Sequence, residues 1–110
     1  MIRRHAFALT FAASCLSASL AFAACNAPTA PTKIPDGTNA SEPEMVAAMQ
    51  VLKKYNADVT VYTKCLQFEE KQSRLSADEA RKLHNDAVAT LEKVAAQFNK
   101  QVATFKSKNG

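Results

Sequence analysis

Cysteine, histidine and methionine are the side chains of this 110-residue chain most able to do chemistry, and they are few: Cys15, Cys25, Cys65, His5, His84 and three methionines. Beyond residue 23 only His84 remains, so a histidine-built metal site within one chain lacks ligands. Neither a Cys-x-x-Cys pair nor a haem-attachment run occurs. Glu70 and His84 are expected at one helix seam, where they would make either an acid–base pair or a structural ion pair capping the core. No nucleophile or oxyanion donor accompanies them, so the ion pair is the preferred reading. Met45 and Met49, four apart on one helix, could hold Cu(I) through their thioethers. Two sulfurs seldom suffice and methionine fills seams well, so packing is preferred. With only Gly37 and Gly110, no glycine-rich phosphate loop can form. The expectation is a chain with no catalytic residue, no cofactor and no metal, and not an enzyme.

The cysteines depend on what the chain's beginning does. Arg3 and Arg4 precede 18 uncharged residues, Ala6 to Ala23, and Ala21-Phe22-Ala23 places small residues where a signal peptidase reads. A secretory signal over 1–23 follows. Its removal takes away Arg3 and Arg4 and lowers the net charge from +4 to +2, twelve basic residues against ten acidic. The basic balance of the precursor then says little about partners, and nucleic acid is not expected. Cleavage also removes Cys15 and leaves Cys25 and Cys65. An even count in an exported chain points to a disulfide. A competing reading takes Phe22-Ala23-Ala24-Cys25 as a lipoprotein site with Cys25 acylated, which alone would tie the protein to a membrane.

The elements that must position these residues are helical. Two glycines, four prolines, no tryptophan and 47% hydrophobic residues argue against strands and turns. Residues 24–40 carry Pro28, Pro31 and Pro35 and read as an extended, polyproline-like strap, with Pro35-Asp36-Gly37 suited to a type I turn. Ser41-Glu42-Pro43-Glu44 and Ser76-Ala77-Asp78-Glu79 are capping boxes. They open helices expected over about 42–72 and 77–107 of a hairpin domain, 41–110. Met45, Met49, Leu52, Tyr55, Val59, Tyr62 and Leu66 recur at steps of three and four, as do Ala80, Leu83, Ala87, Leu91, Val94, Phe98, Val102 and Phe105.

A short connection makes the helices antiparallel. Leu66 should then face Leu83, Val59 face Leu91, Leu52 face Phe98, and Met45 face Phe105. Asn56 and Thr63 are expected within the seam as register pins. Tyr55, Tyr62, Phe98 and Phe105 are seam residues rather than a platform for stacking bases. Val61, Cys65 and Phe68 share a second face of the first helix, where the strap is expected to pack. The fold class is thus all-α: a coiled-coil-like antiparallel two-helix hairpin with an extended Pro-rich N-terminal strap behind a cleavable signal peptide.

Cys25-x-x-Pro28-x-x-Pro31, then Ile34-Pro35-Asp36-Gly37, Met45 and Tyr62…Cys65-Leu66, resembles a set of small secreted bacterial proteins of unknown function. The similarity covers most of the chain after the signal. It implies an envelope location and a Cys25–Cys65 bridge, and it brings no activity with it.

Val46, Val88, Ala89 and Ala96 remain unassigned by seam and strap. Small residues outside a seam let another helix approach, so Val88, Ala89 and Ala96 form a candidate interaction face for a protein partner or a second copy; the alternative is that alanine there only favours helix. The expected function is a noncatalytic, exported, periplasmic or secreted helical interaction module, partner-binding or holdase-like. The alternative is a small-ligand or metal carrier formed when two hairpins pair into a four-helix bundle.

Overall fold

The computed structural model describes residues 25–109; the signal segment expected over 1–23 lies outside the described residues. Two helices form, α1 (Glu42–Lys71) and α2 (Ala77–Asn109), and they pack against each other as a hairpin, with no strand among the described residues.

Local chemistry explains where each helix begins. Ser41 Oγ accepts from Glu44 N–H at 3.3 Å while Glu44 Oε2 accepts from Ser41 N–H at 2.6 Å, so two otherwise orphaned donors are satisfied together. Pro43 sits in that first turn, where its missing N–H costs nothing. At α2 the box is half made. Ser76 Oγ accepts from Glu79 N–H at 3.2 Å, but the Glu79 carboxylate takes the Ser76 hydroxyl rather than its backbone N–H. Between the helices Ser73 adopts φ 56°, a left-handed residue that ends α1 without a glycine. Ser73 N–H donates to Glu70 O and Arg74 N–H to Glu69 O, each at 3.0 Å, closing the turn. The second helix runs to Asn109, two residues past the expected 107.

Tyr55 and Val59 of α1 and Val94 of α2 form the buried centre, with Leu52, Ala87 and Leu91 packed around it. Val59 and Leu91 thus meet at the expected level, and Leu52 and Phe98 line one small gap. Met45, Tyr62, Leu66, Ala80 and Phe98 are buried along the same seam. Met49 is not; it is 36% exposed. Asn56 is exposed and Thr63 half-buried, its hydroxyl donating to Thr60 O at 3.0 Å. These two therefore serve solvent and their own helix, not the register.

The strap departs from its expected place. Ala30 and Ile34 pack against the Tyr55–Val59–Val94 cluster, so residues 25–37 run along the groove between the helices rather than over the outer face of α1. Val61 and Phe68 are left 68% and 54% exposed. A groove touches an extended chain from two sides whereas a single helix face touches it from one, and contact area decides. At the strap's far end Gly37 is buried, and its N–H donates to Gln101 Oε1 at 2.8 Å. A Cβ there would press on the Gln101 carbonyl and lie 2.9 Å from Phe105 N. Close approach to α2, not a positive φ, is why this position is glycine. The turn itself starts two residues later than expected, at Asp36 rather than Ile34, with Asn39 and Ala40 N–H both donating to Asp36 O.

Candidate functional site

The most distinctive feature is covalent. Cys25, on the strap, and Cys65, in the seventh turn of α1, are joined by a disulfide with their Cα atoms 5.7 Å apart. Both residues are half-buried. A shallow groove of about 500 Å³ lies beside them, walled by strap residues 26–29 and by Asp58, Val61 and Tyr62. Beneath the strap a second space of about 300 Å³ lies between Tyr55 and Tyr62 on one helix and Leu83 and Ala87 on the other. Ala27 and Ala30 are too short to fill it.

The paired carboxylate near the turn is Glu69, not Glu70. Glu69 is buried, and Arg74 grips it with two bonds, Nε to Oε2 at 2.7 Å and Nη2 to Oε1 at 2.8 Å. The Arg74 hydrogen bonds hold the Glu69 carboxyl below its ordinary value of 4.5, outweighing its burial. Arg74 also lies over the Phe68 ring, 5.5 Å from its centre. Glu70 is exposed; it and the half-buried His84 line one polar hollow of about 320 Å³ with Thr63, Gln67 and Arg81. The signal for Glu69 was present in the spacing, because Tyr62, Leu66 and Glu69 continue the seam at steps of four and three.

Other charges pair within single helices. Lys54 meets Asp58 at 2.6 Å and Lys82 meets Asp86 at 2.9 Å, while Asp78 takes Arg81 rather than Lys82. The Asp86 hydrogen bond raises the Lys82 pKa. Such exposed pairs are solvated surface and contribute little.

For metal and ligand chemistry the arrangement offers little. Met45 is buried and Met49 is at the surface, so the two sulfurs do not face one opening. Among the described residues no three His, Cys, Asp or Glu side chains gather as a metal group. Of the candidate interaction face, Val88 is half-buried and Ala89 and Ala96 are exposed. Ala89 and Ala96 lie five residues before and two after the buried Val94, which at 100° per residue turns both away from α1. Val46, 46% exposed, belongs to the outer side of α1. Val51, Val61 and Phe68 are also more than half exposed on that helix.

Compared with known proteins, the chain matches no family model, no curated protein and no solved structure. Among the described residues no helix is long and apolar enough to cross a membrane.

Proposed function

We propose that this chain is an exported, noncatalytic interaction module of the cell envelope, a stapled helical hairpin that binds a protein partner through its outward faces. The observation that carries this reading is the set of large apolar side chains left exposed on α1: Val46, Val51, Val61 and Phe68. A hairpin evolved only to fold would gain by placing polar residues there, and Val61 and Phe68, seven residues apart, share one face of α1 as a contact surface would need. The Cys25–Cys65 bond supports export, since such bonds persist in oxidising compartments. It also favours the bridged form over the lipoprotein, because one sulfur cannot carry both a disulfide and a lipid thioether.

The test is chemical crosslinking of the protein in its native envelope, comparing wild type with two surface variants. Val61→Glu with Phe68→Glu should abolish the partner crosslink while helicity stays unchanged. Ala89→Glu with Ala96→Glu examines the α2 face in the same way. If both double variants keep every crosslink of the wild type, the hairpin's outer faces are plain solvent surface and the reading fails.

A further inference from the structure

We infer that the strap is a redox-latched cover: the Cys25–Cys65 bridge, rather than the strap's own packing, holds residues 25–35 over the groove between α1 and α2. None of residues 25–36 is fully buried; the first buried residue of the strap is Gly37. Cys25, Pro28, Ala30, Pro31, Ile34 and Pro35 are half-buried, and the intervening residues are exposed. The hydrogen bonds described between strap and helix gather at the far end, where Gly37 N–H donates to Gln101 and Lys108 Nζ to Thr38 O. Three prolines contribute no N–H of their own. Where the strap crosses Tyr55, Tyr62, Leu83 and Ala87 a cleft of about 300 Å³ stays open beside it, and of the strap's residues Ala30 and Ile34 pack on the buried centre. The near end thus carries the covalent bond, and the far end a buried glycine and an ordered turn.

The bridge is placed to be opened. Both cysteines are half-buried, and the shallow groove alongside gives a reductant room to approach. A dithiol reductant would break the S–S bond by exchange, leaving thiols on Cys25 and Cys65 and closing a disulfide of its own. Residues 25–35 would then swing out while Gly37 stays docked on α2. The trough uncovered is apolar, floored by Tyr55, Val59 and Val94. The helices would remain paired through the rest of the seam, where Leu66, Ala80 and Phe98 are buried as well.

Tyrosine reports this directly, since Tyr55 and Tyr62 are the chain's two tyrosines, both line the trough, and there is no tryptophan. The experiment compares the bridged protein, the protein reduced with dithiothreitol, and the Cys25→Ser variant. Backbone order parameters of Ala27, Ala30 and Lys33 should fall from about 0.85 to below about 0.6 when the bridge is absent, with Gly37 and both helices unchanged. Iodide quenching of tyrosine fluorescence should rise in the same two samples. A strap that keeps its order without the bridge overturns the proposal, because packing alone then holds it. Loss of order throughout α1 and α2 overturns it equally, because the bridge is then a staple for the whole fold.

Discussion

Glu69 is where acid should first be felt. Its carboxylate is buried and bonded twice to Arg74, so its pKa is lowered in the folded protein relative to 4.5. A lowered folded value means the stabilisation is fully present above the unfolded value and is lost as pH falls through the folded one. Glu44, through its bond to the Ser41 N–H, is lowered too and acts in the same window, and Asp36, lowered from 3.8 through that to the Thr38 N–H, acts in one that opens further down. The melting temperature is accordingly expected to drop as pH descends below about 4.5. Glu69→Gln should flatten that dependence while lowering stability at neutral pH, since it leaves Arg74 without its carboxylate. Melting curves of both proteins across acid pH check this; parallel curves would remove Glu69 from the account. Gly37 is the second decisive residue. Gly37→Ala forces a methyl against the α2 backbone, and overpacking of this kind costs about 1–3 kcal/mol. Denaturant titration measures it, and loss of the Gly37–Gln101 hydrogen bond should accompany it.

At the scale of elements, the two helices are unequal in how much they hide. The seam buries Tyr55, Val59, Val94 and Phe98, whereas Val61 on α1 is more than two-thirds exposed. Phe98→Ala should cost about 3–5 kcal/mol, through lost transfer energy and the cavity left behind. Val61→Ser should stay within about 0.5 kcal/mol of wild type. Equal effects in urea denaturation would place the strap over α1's outer face after all. Sequence spacing made the seam legible because helix periodicity is local and both apolar stripes recur without interruption. The strap's position was not legible. Val61, Cys65 and Phe68 share a face by spacing alone, but only the assembled hairpin creates a groove that touches the strap from two sides.

Across the described residues the molecule is two helices and a strap, and it gains from a covalent closure. The bridge spans 40 residues of sequence. By chain entropy, closing such a loop in the unfolded state stabilises the fold by about 4 kcal/mol. Reduction should lower the stability of the hairpin by about that amount, read as a reduced denaturation midpoint.

Sequence by itself determined the helical class, the two capped helix starts, and the antiparallel pairing with its register at Val59–Leu91 and Leu52–Phe98; for Cys25 it preferred a bridge to Cys65 over acylation. All of these rest on local periodicity, on capping chemistry within four residues, or on counting. Only the tertiary structure decided that Glu69 rather than Glu70 holds the ion pair, that Gly37 is demanded by contact with Gln101 and Phe105, and that the strap lies between the helices. Each of those depends on where two distant segments meet in space. Within a single helix, neighbouring carboxylates differ by 100° of rotation, and that difference acquires meaning only once the turn brings Arg74 back beside one of them.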